Sequence, residues 1–237
     1  MNTAPYQQTL TAALFALPAE LVTLQRSLDI GTRVRCIYRD TRAVQSDLEI
    51  LFAGAGFEAI DVATVGDDTF EISATRNESL ADWLRPDLRL LVCGLNPSPY
   101  AARTGIPFGR PGNRFWPAAL AADLVRDDRD LDSALRRGVG FTDLVKRCTP
   151  ASSELTAEEY RNGLWRLEHV ARLFQPRTIC FVGLEGVRKA IDAKAAAGWL
   201  ARPIGGCRAY AMPSTSGRNA SASLASLVDH LRCGASA

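Results

Sequence analysis

Apolar and polar positions in residues 1–85 follow first a helical and then an alternating spacing. The helical spacing over Val44–Ala55 stops at Gly56, a residue type that favours helix termination, and two alternating runs flank the turn Gly66-Asp67-Asp68. The predicted elements are a helix over Leu17–Leu28, a strand over Arg33–Tyr38, a helix over Val44–Ala55, and a hairpin of Phe57–Thr64 and Thr69–Ala74. Together they predict a small α+β unit.

From residue 86 onward, short apolar runs alternate with amphipathic stretches. The runs that predict buried strands are Leu88–Gly94, Thr178–Val182 and Arg208–Met212. The predicted helices are one begun by Asn113 and running through Ala122, one capped by Thr156 and Glu159, and two over Glu185–Ala197 and Ala220–Leu231. The capped helix carries one apolar stripe, formed by Tyr160, Leu164, Leu167, Ala171 and Phe174. This alternation predicts an α/β fold, a three-layer α/β/α sandwich with a short, mostly parallel central sheet.

Charge divides the chain at the same place. Residues 1–85 hold 7 basic and 12 acidic side chains, whereas residues 86–237 hold 21 and 14, so the net charges are −5 and +7. The shift falls in a loop-like segment that includes Pro86, and proline disfavours helix at the residue before it. We therefore predict two domains, residues 1–85 and 86–237, of which the second suits a polyanion.

Composition excludes several classes of protein. The chain has 237 residues and is 47% hydrophobic, which allows a full core, yet no segment offers the ~18 consecutive apolar residues of a membrane span. The first 17 residues lack the features of a signal peptide, so we expect a cytoplasmic protein. The six cysteines stand singly, without a pair at metal-ligand spacing, so we expect neither a metal site nor a disulfide framework.

The first predicted strand of the second domain ends in an Asn-Pro turn. Leu88–Gly94 leads directly into Leu95, Asn96 and Pro97, so one amide side chain is held at the carboxyl edge of the sheet. In open α/β folds this edge is where ligands bind. A structural alternative exists, because an Asx-type turn before proline uses the same residue type. The turn is a candidate site whose reaction the spacing alone does not define.

Three further motifs follow the turn in order. The four blocks are Gly94–Pro97, Thr104–Trp116, Gly138–Val145 with Arg147–Pro150, and Met212–Arg218. Over residues of about 86–233 the chain resembles the mismatch-specific uracil-DNA glycosylase and thymine-DNA glycosylase branch of the uracil-DNA glycosylase superfamily. The resemblance implies that superfamily's fold. It also implies that uracil, or else thymine or a damaged pyrimidine, is removed from double-stranded DNA with G·U or related mismatches, which initiates base excision repair. No cofactor or metal is implied, and we expect a monomer at the nucleoid.

The resemblance also implies a role for each matched residue. Asn96 takes the catalytic position, where its carbonyl oxygen would hold the attacking water, and Thr142 would assist that water. Phe108 would stack on the flipped base. The rest of the implied base pocket is Gly94, Leu95, Pro97 and Ser98. The residues implied to contact DNA are Asn113, Arg114, Pro213, Ser214, Thr215, Ser216, Gly217 and Arg218.

One departure from the branch bears on the choice of base. Ser98 stands where glycine is usual, near the place of a thymine methyl group, so we expect uracil to be preferred over thymine. Single residues keep structural alternatives: core packing for Phe108, helix capping for Thr142, and an ordinary solvated side chain for Arg218.

Two other functions are alternatives for this chain. The chain could be a DNA-binding or damage-sensing module without turnover. A nucleotide-binding α/β protein is disfavoured, because no glycine-rich phosphate loop follows a predicted strand.

Residues 1–85 lie outside the glycosylase resemblance and faintly resemble small sulfur-carrier domains. In those domains a nucleophilic cysteine stands directly before a proline, but this chain has Leu17 at that position. We therefore expect a structural or partner-docking role for residues 1–85.

Overall fold

The computed structural model describes residues 4–236, which form two β-sheets with helices packed on them. The first sheet and its helices comprise β1 (Tyr6–Leu10), α1 (Leu17–Ser27), β2 (Arg33–Arg39), α2 (Gln45–Gly54), β3 (Phe57–Gly66) and β4 (Thr69–Arg76). Its strand order is β1-β2-β4-β3, in which only the β1-β2 pair is parallel. The predicted elements are confirmed here, with β1 in addition. That strand escapes prediction because only Leu10 of its five residues is buried.

The second sheet belongs to the α/β architecture predicted from the sequence. Its elements are β5 (Leu90–Gly94), α3 (Pro99–Thr104), α4 (Phe115–Ala121), α5 (Leu131–Arg136), β6 (Val139–Asp143), α6 (Ala157–Phe174), β7 (Thr178–Val182), α7 (Leu184–Ala190), β8 (Gly198–Trp199), β9 (Arg208–Met212) and α8 (Leu224–Ala235). The strand order is β6-β5-β7-β9-β8, parallel except for the short edge strand β8. The carboxyl ends of β5 and β6 therefore lie side by side.

Alternation along the buried strands separates two apolar layers. Leu91 and Phe181 face the cluster that contains α6, whereas Val92 and Met212 face the cluster that contains α4 and α8. Because successive side chains of a strand point to opposite faces, each short strand supplies both layers.

The capping box at Thr156 and Glu159 and the buried stripe of α6 are confirmed. None of the helices in residues 4–236 is long and apolar enough to cross a membrane.

Two predicted helices differ in extent. The helix predicted over Glu185–Ala197 ends at Ala190, because Asp192 accepts a hydrogen bond from the amide of Lys194 and starts a turn. The final helix begins at Leu224 rather than Ala220, with Ser223 accepting from the amide of Ser226 as its cap. Helices α3 and α5 had no periodic signal, since each has only six residues.

The apolar cluster on the α6 side continues into the N-terminal unit. Phe15 meets Phe174 edge to face at 6.0 Å, and Asp47 of α2 lies 2.7 Å from His169 of α6. The segment after β4 also joins the second sheet, because Trp83 exchanges two backbone hydrogen bonds with Phe141 of β6. The two units thus share one core, and residues before 86 already pair with the second sheet.

Candidate active site

A cavity of about 180 Å³ opens at the carboxyl ends of β5 and β6. Residues from all four sequence blocks line it. They are Leu80, Gly94, Leu95, Asn96, Pro97, Ser98, Ala101, Pro107, Phe108, Gly109, Arg110, Asn113, Asp143 and Ser216. The volume suits a small planar ring rather than a whole nucleotide, so any larger ligand must remain partly outside.

The orientation of the Asn96 amide is decided by its neighbours. Its Nδ2 donates to Thr149 Oγ1 at 2.8 Å, to the carbonyl of Arg147 at 3.1 Å and to the carbonyl of Pro97 at 3.2 Å. Only the NH₂ end of an amide can meet three acceptors, so Oδ1 is turned away from them. Within residues 4–236 Oδ1 accepts no hydrogen bond, and it is available to hold a water.

Phe108 forms an aromatic wall of the cavity. Its ring stacks on that of Phe115 with centroids 4.5 Å apart and planes 26° apart. Its backbone φ is +56°, a left-handed conformation that is rare and strained for a bulky side chain. Phe115 and Trp116 are fully buried, and the Trp116 indole donates to the carbonyl of Pro107 at 2.8 Å. Core residues therefore hold the Phe108 loop in its strained form against the cavity.

Gly94 leaves room at the floor of the cavity. A Cβ at this position would lie 2.2 Å from Asp143 Oδ1 and 3.4 Å from the tip of the Phe108 ring. A larger residue would force the Asp143 carboxyl group to move, whereas the Phe108 ring would remain in ordinary contact. Glycine at position 94 therefore leaves the place that the Asp143 carboxyl group occupies.

Thr142 lies outside this cavity, which corrects its predicted role. It pairs with Cys93 in the sheet, whereas the next residue, Asp143, pairs with Gly94 and faces the cavity. Neighbouring side chains of a strand point to opposite faces, so the two cannot share the site. The hydroxyl of Thr142 instead donates to Asp82 Oδ1 at 2.8 Å and accepts from Arg166 at 2.9 Å.

Asp82 is the centre of a buried ionic cluster behind the cavity. Its Oδ1 accepts from Lys146 Nζ at 2.8 Å, and its Oδ2 accepts from Arg166 Nη1 at 2.7 Å. Burial opposes ionisation of Asp82, but the two cations outweigh it and the pKa lies below its usual value. Arg166 also donates to the backbone carbonyl of Asp143 at 2.6 Å. The cluster therefore fixes the backbone that carries the Asp143 side chain.

Comparison with known proteins shows the family of this chain. The model of the uracil DNA glycosylase superfamily matches residues 81–232, well over half of the chain. The chain belongs to the uracil DNA glycosylase superfamily. A solution structure from Methanosarcina acetivorans, of a protein provisionally described as a uracil DNA glycosylase, is similar over 65% of this chain and 96% of that one, with 20% identity and a TM-score of 0.46. The family match indicates that the function of this chain as an enzyme is of the uracil-DNA glycosylase type.

A second cleft beside the glycosylase cavity is walled by arginines. It has a volume of about 360 Å³ and is lined by Ser98, Pro99, Tyr100, Arg103, Arg110, Pro150 and Arg218. None of these three guanidinium groups forms an ion pair with another residue of the 4–236 range. Their charge is therefore available to an anion at the mouth of the site.

The loop from Pro213 to Arg218 lies between the two openings. Ser216 lines the cavity and Arg218 lines the arginine cleft. Ser214 is half-buried, and its Oγ accepts from the amide of Ser216 at 3.2 Å. Gly217 packs against the neighbouring loop, where a Cβ would lie 2.8 Å from the carbonyl of Gly112.

Two residues predicted to contact DNA hold the loops instead. Arg114 donates to the carbonyls of Ser216, Asn219 and Ala222, and Thr215 is 1% exposed with its carbonyl accepting from the Arg114 amide. A guanidinium bonded to three carbonyls has little capacity left for phosphate. We assign both residues to loop positioning, whereas Asn113, also expected to contact DNA, lines the cavity.

Sequence reasoning missed four polar residues at the site. Asp143 and Thr149 belong to the third block, and Arg110 belongs to the second. The sequence therefore shows that they lie in matched motifs, but it does not show what their side chains contact. Arg103 stands between blocks. The histidines lie elsewhere, since His169 meets Asp47 and His230 meets the Tyr210 hydroxyl at 2.7 Å.

Proposed function

We propose that this chain is a monofunctional uracil-DNA glycosylase of the mismatch-specific branch. It flips uracil out of a G·U or related mismatch and hydrolyses the bond between the base and the deoxyribose. The observation that carries the proposal is the oriented Asn96 amide beside the Phe108 ring in a cavity of single-base size. The assignment to the mismatch-specific branch rests on the motif resemblance.

Base flipping follows from the position of the reacting bond. The cavity is concave and about 180 Å³, so a base must leave the duplex before its glycosidic carbon can approach Asn96. Extrusion costs a few kcal/mol and is easiest at a weakened pair. A G·U mismatch is therefore a better substrate than an A·U pair before any contact inside the cavity is made.

Hydrolysis requires a water held against the sugar. Asn96 Oδ1 accepts a hydrogen bond from that water, whose oxygen bonds to C1′ as the bond from C1′ to N1 of the base breaks. The bonding pair leaves with the base, and the proton lost by the water passes to solvent or to the departing base. An amide is a weak base, so Asn96 positions the water and the reaction is slow.

The arginine cleft and the adjoining loop supply the DNA contacts. Arg103, Arg110 and Arg218 present three unpaired charges in one cleft next to the cavity, which suits the phosphates that flank a flipped nucleotide. Ser214 and Ser216 of the loop would touch the backbone near them.

The experiment is base release from defined duplexes. Labelled duplexes containing G·U, A·U or G·T, and single-stranded uracil, are incubated with the chain and then cleaved by alkali at abasic sites. We expect release in the order G·U, then A·U, with Asn96→Ala abolishing release while duplex binding remains. Binding without release by the native chain would instead identify a damage-sensing module, and near-normal release by Asn96→Ala would remove Asn96 from the mechanism.

A further inference from the structure

We propose that the side chain of Asp143 reads the flipped base as a neutral carboxylic acid. Its hydroxyl donates a hydrogen bond to a ring carbonyl of uracil, and its other oxygen accepts from the adjacent ring N–H. This inference rests on the proposed function, because it names how the same cavity contacts its base.

The position of Asp143 supports a direct contact. Its side chain lines the cavity together with Phe108, and it is only 7% exposed. Its Oδ1 lies over Gly94, where a Cβ would come within 2.2 Å. Among the hydrogen bonds within residues 4–236, those of Asp143 involve its backbone, and none involves its carboxyl group. A buried polar group without a protein partner is costly unless a ligand or water satisfies it.

The surroundings favour the protonated form. Burial, with the nearby charge of Asp82, raises the pKa of Asp143 to about 6, although Lys146 and Arg166 oppose the shift. Both cations form their ion pairs with Asp82 rather than with Asp143. Asp143 is therefore left as the second carboxyl group of the cluster, without a bonded cation.

Uracil presents an edge that a neutral acid matches. Away from the sugar its ring carries N3–H between two carbonyl oxygens, so a carboxylic acid can accept from N3–H and donate to O4 at once. A carboxylate would accept from N3–H but place its second oxygen against O4, with no proton between them. A carboxylate would also repel the negative charge that develops on the departing base. Ionisation of Asp143 should thus slow the release of uracil.

The other ionisable groups around Asp143 are two thiols, one carboxylate and three cationic side chains. Burial raises the pKa of the Cys93 thiol well above its usual value, and that of Cys148 to about 11, so both stay protonated. Asp82 stays ionised because its pKa is lowered. Lys146 and Arg166 remain bonded to Asp82, and Arg110 on the facing loop carries a permanent charge. A change in rate between pH 5.5 and pH 8.5 would therefore report on Asp143.

The test is single-turnover release of uracil from a G·U duplex at saturating protein between pH 5.5 and pH 8.5. The native chain should lose about tenfold in rate per pH unit above the pKa of Asp143. Asp143→Asn keeps a donor and an acceptor at all pH values, so its profile should be flat and its rate at pH 8 should exceed the native one. Asp143→Ala should be slower than Asp143→Asn throughout. Binding to a duplex with an abasic site is measured alongside and should be the same in all three.

The outcomes separate this inference from the proposed function. A native rate that does not fall with pH overturns the inference without any variant, and so does a profile that Asp143→Asn leaves unchanged. In both cases uracil is released and the proposed function stands. A native chain that releases no uracil at any pH overturns the proposed function, and the inference with it.

Discussion

Asn96 Nδ2 donates a hydrogen bond of 2.8 Å to Thr149 Oγ1. The Thr149 hydroxyl in turn donates its own proton to the carbonyl of Ala151 at 2.9 Å, so towards Asn96 it can only accept. This relay leaves one orientation for the amide. The orientation of the Asn96 amide is thus fixed in part by a threonine 53 residues further along the chain.

Replacing Thr149 should impair the positioning of the Asn96 amide without unfolding the protein. Thr149→Val keeps the shape of this buried side chain but removes one of the three acceptors of Asn96 Nδ2, so the amide is held less firmly and positions the water less well. We expect single-turnover uracil release to fall about a hundredfold while duplex binding is unchanged. Thr149→Ser retains the hydroxyl and is the matched control. Equal rates for the valine and serine variants would show that the amide needs no such partner.

Ser98 is expected to exclude thymine through its Cβ rather than its hydroxyl. The side chain lines the cavity, and its Oγ caps α3 by accepting from the amide of Ala101 at 3.3 Å, which fixes its position. Ser98→Gly should raise release of thymine from G·T duplexes, at a cost of only a few tenths of a kcal/mol in capping. Ser98→Ala loses the cap but keeps the Cβ and should not gain thymine release. Thymine release that rises equally in both variants would assign the selectivity to the hydroxyl.

The arginine cleft predicts a measurable dependence on salt. Removing one phosphate contact lowers the slope of log Kd against log salt by about 1, without changing which base is preferred. We expect this change for Arg103→Ala and for Arg110→Ala in equilibrium binding to a G·U duplex. Arg136→Ala, an exposed arginine outside the cleft, is the control. If Arg136→Ala lowers the slope as much as Arg103→Ala and Arg110→Ala do, the salt dependence reflects non-specific charge on the surface and not the cleft.

Arg218 should matter more on paired than on single-stranded DNA. It is exposed at the end of the loop and lines the cleft beside the cavity, where it can support a duplex opened by base flipping. Arg218→Ala should therefore reduce turnover on a G·U duplex more than turnover on single-stranded uracil. Equal losses on the two substrates would contradict a role in holding the opened duplex.

Asp82 is expected to govern stability rather than chemistry. Asp82→Asn would leave Lys146 and Arg166 buried without a counter-charge, which typically costs about 3–5 kcal/mol. The native contribution depends on pH. Because the pKa of Asp82 is lowered on folding, its stabilisation is present above the ordinary pKa of aspartate and is lost as the pH falls through the folded value. Urea unfolding at pH 7 and pH 5 should therefore show the same difference between the two chains, and the difference should shrink only as the pH falls below 3.8, the ordinary pKa of aspartate.

The sequence by itself determined the local elements and the reaction class. Capping residues, the stripe of α6 and the alternation of β3 and β4 are local patterns, and β5, β7 and β9 were visible as apolar runs, whereas the buried strand β6 was not predicted. The ordered blocks from Gly94 to Arg218 carried the resemblance to the superfamily that the chain belongs to. They placed Asn96 and Phe108 in one cavity correctly.

Tertiary structure alone decided which polar side chains meet. Whether Thr142 or Asp143 faces the cavity depends on the register of β6 against β5, since a shift of one residue exchanges the two faces of a strand. The arginine cleft joins Arg103, Arg110 and Arg218 from two distant segments, and Arg114 was drawn to loop carbonyls that follow it by about a hundred residues. Such contacts arise from packing over long distances in sequence, which local patterns do not encode.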